Sequence, residues 1–125
     1  MRLETKLKLL EMVAVLEGRV VAGKKNLDLD ISEICAADLM SDVLAFTTTG
    51  AVLITGLANV QSVITAHVAE VVAVVYVRGK KPDADAVRLA DQKGIPLLAS
   101  PLSMFEACGR LFGKGLKSGS TLGKK

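Results

Sequence analysis

Residues Ala51 to Gly79 read AVLITGLANVQSVITAHVAEVVAVVYVRG. A short apolar run ends in Thr55-Gly56, an amphipathic segment follows, and a second apolar run ends in Arg78-Gly79. Strand, helix and strand of this length make a βαβ unit whose two strands lie parallel in one sheet. The second strand, roughly Val72 to Val77, is apolar without alternation, as expected of a strand covered on both faces. In the helix between them, Val60, Val63, Ile64, His67, Val68 and Val71 share one face, and Gln61, Ser62, Thr65 and Glu70 the other. The apolar face is expected to turn inward.

On the N-terminal side, Leu3, Leu7, Leu10 and Ala14 recur at helical spacing, with Glu4 and Lys8 as an i,i+4 pair. This predicts a helix from about Arg2 to Leu16, stopped at Gly18. Arg19 to Ala22 is a short strand candidate. Asp28 and Asp30 alternate with Leu27, Leu29 and Ile31, which fits either a half-exposed strand or an extended loop. Ser32 to Ala36 is a further strand candidate. Asp38 or Ser41 can cap the helix after it, which carries Leu39, Val43 and Phe46 on one face and ends at Thr47-Thr48-Thr49-Gly50.

On the C-terminal side, Pro82, Asp83 and Asp85 open a helix whose buried face is Ala86, Val87 and Ala90 and whose end is Gly94. Ile95 to Ala99 is the last expected strand, with Pro96 confined to an edge or an unpaired position. Ser103-x-x-Glu106 has the form of a capping box. Leu102, Phe105, Cys108 and Phe112 form the final apolar stripe. The alternation of elements predicts a three-layer α/β domain with a mostly parallel sheet of about four to five strands. It is expected to occupy residues 1–116, with 117–125 as a flexible basic tail rich in Gly, Ser and Lys.

Composition narrows the function. At 125 residues, half of them hydrophobic, the chain suits one domain with one aliphatic core. Three Phe, one Tyr and no Trp leave little with which to stack bases, so a single-strand nucleic-acid binder is not expected. The net charge of +3 comes largely from scattered lysines, which read as a solvated surface. Two distant cysteines and one histidine make neither a disulfide framework nor a zinc site. The longest apolar run, Val71 to Val77, falls far short of a membrane span. A cytoplasmic protein with free thiols, no cofactor and no membrane or nucleic-acid partner is expected.

Three strands run into helix-opening loops: Thr55 to Asn59, Arg78 to Lys81, and Ser100 to Ser103. In a right-handed parallel sheet these loops share one edge, where helix-start N–H groups favour anions. Arg78 and Lys80 add charge, and Gly56 and Gly79 let a ligand approach the backbone. The candidate ligand-binding residues are Asp42, Thr55, Gly56, Asn59, Arg78, Gly79, Lys80 and Ser100. The plainer alternative is that the glycines serve the turns and the lysines are solvated. Neither GxxxxGK[ST] nor GxGxxG is present. Asp38 and Asp42 stand i,i+4 as a metal or acid/base pair, or as a cap and a surface residue. His67 reads as a core-edge or interface residue, Cys108 as a small buried hydrophobe, and no residue is assigned a catalytic role.

The segments Asp38-Leu39-Met40-Ser41-Asp42, Leu53-Ile54-Thr55-Gly56 and Val77-Arg78-Gly79-Lys80-Lys81-Pro82-Asp83, followed by Gly94-Ile95-Pro96-Leu97-Leu98, carry a resemblance. Over roughly Gly18 to Leu116 the chain resembles the DRTGG domain family. It is most similar to the stand-alone DRTGG-like proteins, and more distantly to the N-terminal domain of HPr kinase/phosphorylase. By spacing, the Asp-Arg pair of the family falls near Ser41-Asp42-Val43, where no Arg stands. The Thr-Gly-Gly element falls at Val77-Arg78-Gly79-Lys80, which keeps one Gly.

The resemblance implies an HPr kinase N-terminal-domain-like α/β fold and a regulatory rather than catalytic role. The family occurs alone or beside CBS domains, nucleotide-handling enzymes and phosphotransacetylase. Some stand-alone members are associated with iron-hydrogenase gene clusters, which implies a hydrogenase-related role. The kinase domain and its P-loop have no counterpart here, so this is not a kinase. The leading expectation is a non-enzymatic, homodimeric ligand-sensing domain with a small anionic ligand at the strand C-termini. The alternative is an interaction or accessory subunit of a larger enzyme system. A small hydrolase or transferase using Asp42 or His67 is the least favoured.

Overall fold

The structure, a computed structural model, describes residues 5–123. In chain order the elements are β1 (Leu7–Lys8), α1 (Leu9–Val15), β2 (Arg19–Ala22), a 3-10 turn (Lys24–Asn26), β3 (Asp30–Ile31), β4 (Glu33–Ala36), α2 (Met40–Phe46) and β5 (Val52–Thr55). Then come α3 (Val60–Val68), β6 (Ala73–Tyr76), α4 (Ala84–Lys93), β7 (Leu97–Ala99), α5 (Met104–Gly113) and β8 (Lys117–Ser118).

The βαβ unit forms as its residues dictate. β5 and β6 pair in parallel, Val52 beside Ala73 through to Thr55 beside Tyr76, and both strands are buried throughout. They occupy the centre of a six-stranded sheet of order β2-β7-β6-β5-β4-β8. All neighbours are parallel except β2, which runs antiparallel to β7. The period-2 pleat splits each central strand between two cores. Val52, Ile54, Ala73, Val75 and Val77 face a core completed by Leu9, Met12 and Leu16 of the α1 region and by Ala107 and Leu111 of α5. Leu53, Val74 and Tyr76 face a core completed by Val43 of α2, Val63 and Ala66 of α3, and Ala86 and Ala90 of α4. Three layers result: α1 and α5, the sheet, and α2, α3 and α4.

Several expectations are corrected. The sheet has six strands rather than four to five. The expected strand β2 forms one edge, and the added strand is β8 at the other. The first helix begins at Leu9, because Leu7 and Lys8 pair antiparallel with Ile31 and Asp30 as a separate two-stranded ribbon. This also settles Asp30 as a strand residue, and Lys8 pairs with its carboxylate at 3.0 Å. The proposed start at Arg2 and the partner Glu4 lie outside the described residues. The residue that turns the chain left-handed after α1 is Glu17 (φ 52°), not Gly18.

The assigned tail is part of the sheet as far as Ser118. Lys117 and Ser118 lie parallel to Glu33 and Ile34. Beyond them, Gly119 donates to Ile34 O at 2.6 Å and Thr121 to Phe46 O at 2.8 Å. Lys124 and Lys125 lie outside the described residues.

Two helices turn differently from their apolar patterns. In α3, Ser62, Val63, Thr65 and Ala66 are buried, while Ile64, His67 and Val68 face out. Small side chains fit the inward face, and the Ser62 hydroxyl is satisfied there by Asn59 O (2.7 Å) and the Tyr76 hydroxyl (2.6 Å). In α5, Ala107 and Leu111 point inward, and Phe105 and Phe112 of the expected stripe are 86% and 77% exposed. In α2, Met40 and Val43 are buried while Leu39 precedes the helix, exposed, with no side-chain cap. At two other helix starts a side chain caps: Asp83 accepts from Ala86 N, which puts Pro82 ahead of α4 rather than in its first turn, and Ser103 accepts from Glu106 N without the return bond of a full capping box. Glu106 itself pairs with Arg110.

Candidate functional site

The C-terminal ends of β4, β5, β6 and β7 bring four connections to one edge. Its central feature is Asp38, just past β4. One carboxylate oxygen accepts from the Gly56 N–H at 2.7 Å and from the Thr55 hydroxyl at 3.1 Å. Thr55 Oγ in turn accepts from Leu57 N–H at 3.2 Å. An internal carboxylate thus already takes the donors that the β5–α3 loop would offer an external anion. The sequence offers Asp38 as a cap, a surface residue or half of a metal or acid/base pair. It caps nothing, because its acceptors are spent on the neighbouring loop.

Arg78 stands opposite. Its Nη2 lies 4.0 Å from the second Asp38 oxygen, with both side chains about half exposed. Its guanidinium occupies the space beside Gly56, where an added Cβ would collide with it. A side chain at position 56 would therefore displace the guanidinium, which is the half-exposed end of a flexible side chain and can move aside. Arg78 itself has φ 59° and Gly79 φ 69°. This left-handed pair is held by Arg78 N–H to Leu102 O (2.7 Å) and Gly79 N–H to Ser100 O (3.0 Å), which tie the β6–α4 loop to the β7–α5 loop. A non-glycine residue in that region carries a conformational cost, and such residues gather at functional sites.

Of the eight sequence candidates, the structure brings Thr55, Gly56, Arg78, Gly79 and Ser100 to this edge. Asn59 is there too, but its side chain caps α3 by accepting from Ser62 N–H at 3.3 Å. The Ser100 hydroxyl donates to Leu16 O at 2.7 Å, so it holds the α1 end rather than a ligand. Lys80 is solvent-exposed and lines none of the described concavities. Asp42 sits on exposed α2 surface, in a shallow hollow with Phe46, Cys35 and Ser120, away from the Arg78 cluster.

The concavity at this edge, about 210 Å³, is lined by Glu17, Gly18, Arg19, Gly79, Lys81 and Ser100, together with Ala99 and Pro101. Arg19 escaped the sequence reading because the direction of β2 is not written locally. Antiparallel pairing of Arg19 with Ala99 carries the start of β2 to the end of β7.

Other groups are structural. Burial pushes the Tyr76 phenol up to about 12, against the lowering effect of its bond with Ser62. Burial, and then Cys35, push the Cys108 thiol up, the direction of an unreactive sulfur. Cys35 accepts from the Thr47 hydroxyl at 3.2 Å. Among the described residues, no group of three or more His, Cys, Asp or Glu side chains is placed to hold a metal ion. Nor is any helix among them long and apolar enough to cross a membrane.

The family model for the DRTGG domain matches residues 11–112. Among solved structures, the chain is similar to the CBS and DRTGG domains of the regulatory region of Clostridium perfringens pyrophosphatase, crystallised with its activator diadenosine tetraphosphate. The TM-score is 0.66 at 18% identity, over 87% of this chain and 47% of that one. The likeness is therefore one of fold, and this chain spans about half the length of that structure. No curated protein matches.

Proposed function

This chain belongs to the DRTGG domain family, and from that membership and the geometry of the sheet edge we propose that it is a non-enzymatic, cytoplasmic regulatory domain that binds a small anionic ligand. The observation that carries this is Arg78. A cation is fixed in a costly backbone conformation at the end of the central strand, half exposed, with one carboxylate 4.0 Å away as its ion-pair partner. The similar regulatory region is complexed with a nucleotide activator, which supports ligand sensing in general terms. Chemistry finds less support. His67 and Asp42 are both exposed, and no hydrogen bond orients either side chain among the described residues.

A thermal-shift screen against nucleotides, cyclic dinucleotides and phosphorylated metabolites tests the reading. A ligand at a hundredfold excess over its Kd stabilises the native state by about 2.7 kcal/mol. We expect a concentration-dependent rise that is lost in the Arg78→Ala/Lys80→Ala variant. A flat screen, or a shift unchanged in that variant, counts against it.

One observation favours a second reading, an interaction subunit. Two of the three phenylalanines, Phe105 and Phe112, are spent on the surface of α5 beside a groove of about 400 Å³ floored by Ile34, Ala36 and Leu116. An apolar ridge beside a groove on one exposed face suits the docking of a larger partner protein. Recovery of a stable partner that is lost in Phe105→Ser/Phe112→Ser, with no ligand-induced stabilisation of the isolated domain, would support it, and a ligand-dependent shift with no stable partner would oppose it. A hydrogenase-related enzyme system is the larger partner that the family resemblance suggests.

A further inference from the structure

The edge carries a second concentration of positive charge that the Arg78 cluster does not use. We propose that the concavity between the start of β2 and the β6–α4 loop is a separate anion subsite, in which Arg19 and Lys81 take a phosphoryl or similar oxyanion group. This rests on the reading that the edge receives an anionic ligand, and it specifies where a second charge of that ligand lies.

Arg19 and Lys81 come from different elements and line the same hollow of about 210 Å³. Neither is ion-paired among the described residues. The only carboxylate in the lining, Glu17, is already held by Arg110 at 2.7 Å, and Arg110 is further anchored on Val15 O at 3.1 Å. Arg110 is shared between Glu17 and Glu106, so Glu17 keeps part of its charge, and the hollow sets two cations against one carboxylate that is already partnered. The Ser100 hydroxyl donates to Leu16 O and accepts from Leu102 N–H, so the cations supply the recognition.

The walls are built at a conformational cost. Glu17 (φ 52°) in the lining and Arg78 (φ 59°), the chain neighbour of the lining residue Gly79, are two of the three non-glycine residues in the left-handed region among those described. Gly79 has φ 69°, and a Cβ there would meet nothing within 4 Å, so the mouth stays open.

Arg78 turns the other way, over Gly56 at the end of β5. From the end of β5 to the end of β7, at the middle of the hollow, is two inter-strand steps, on the order of 10 Å at about 4.8 Å each. A single phosphate does not span that distance. A ligand that engages both positions is an extended molecule with two anionic groups, one at each end.

The probe is inorganic phosphate, followed by amide chemical shifts of the full chain. Saturable shifts at Gly18, Arg19 and Lys81 are expected. They should weaken about tenfold or more in Arg19→Gln/Lys81→Gln, the loss of charge-assisted hydrogen bonds, and persist in Arg78→Ala. Both variants are at exposed side chains, and dispersed spectra confirm that they fold. Shifts confined to Gly56 and Arg78 would overturn the subsite while leaving the edge reading intact. Shifts at the hollow unchanged in the Arg19/Lys81 variant would also overturn it. An absence of saturable shifts would overturn the subsite, and the nucleotide screen then decides the edge reading separately.

Discussion

The guanidinium of Arg78 lies over Gly56, in the space that a β-carbon on Gly56 would need. Two residues from the ends of adjacent parallel strands therefore meet. The absence of a side chain on Gly56 leaves the room that the Arg78 guanidinium occupies, and the Arg78 backbone is left-handed at φ 59°. The backbone of Arg78 is held by the fold, while its half-exposed guanidinium has, among the described residues, only the 4.0 Å contact with Asp38, which makes the position separable into backbone and side-chain contributions.

Arg78→Gly should stabilise the protein, because glycine takes φ near 60° without the penalty of about 1 kcal/mol that other residues carry. The exposed contact with Asp38 offsets little of this. A rise of roughly 4 °C in Tm is expected, together with loss of anion binding. Thermal melts of the Gly and Ala variants, side by side, separate the two effects. A Gly variant no more stable than the Ala variant would refute the strain.

Asp38 places a carboxylate among the donors of the β5–α3 loop. Asp38→Ala should cost about 1 kcal/mol, since the freed donors are reached by water. Asp38→Asn retains an acceptor and should cost less. Both should tighten anion binding several-fold, as a like charge beside Arg78 is removed. Isothermal titration of each variant checks the order, and weaker binding in both would show that Asp38 positions Arg78 rather than competing with a ligand.

Tyr76 gives the fold an alkaline limit. Its phenol ionises at about 12 in the folded protein, against 10.0 when free. Between those values the unfolded chain has released the proton and the folded chain has not. Stability therefore falls as pH rises through that window, by about 1.4 kcal/mol per pH unit. Tyr76→Phe should flatten this slope at a cost near 1 kcal/mol at neutral pH, because Ser62 keeps its bond to Asn59 O. Urea melts across the alkaline range measure both.

Two glycines should respond oppositely to alanine. A Cβ on Gly23, at φ 68°, would collide with Ile95 O and the backbone of Pro96. Gly23→Ala should cost more than about 2 kcal/mol. Gly109 lies inside α5, and its Cβ would meet nothing. Gly109→Ala should add roughly 1 kcal/mol of helix stability. Equilibrium unfolding of the two variants is sufficient, and a destabilised Gly109→Ala would show that the groove on α5 is occupied in solution.

The central βαβ unit was legible because its information is local: two apolar runs, a helix between them, and Gly or Arg at the strand ends. The edge was legible for the same reason, since strand ends and loops recur in a fixed order. What escaped depends on neighbours distant in the chain. Leu7 has the spacing of a helix residue, yet Ile31 draws it into a strand. Ile64 and Val68 look like a buried face, but Tyr76 and the flanking helices leave room for Ser62 and Thr65 instead. Arg19 reaches the edge only because β2 is antiparallel. Asp38 finds Gly56 across the gap between two parallel strands, which no spacing within one segment reveals.

The outer positions of the sheet have a consequence for how the chain is made. Ala99 must be synthesised before Arg19 finds its neighbour, and Lys117 before Glu33 finds its own. A nascent chain that has reached Gly113 can hold its central strands, but β4 still shows a row of unpaired backbone groups, and closing that gap carries the entropy of a long loop. Such an edge invites pairing with another chain. Residues 117–121 therefore act as the latch of that edge, and a chain cut before Lys117 would keep its central strands paired and one side of β4 adhesive.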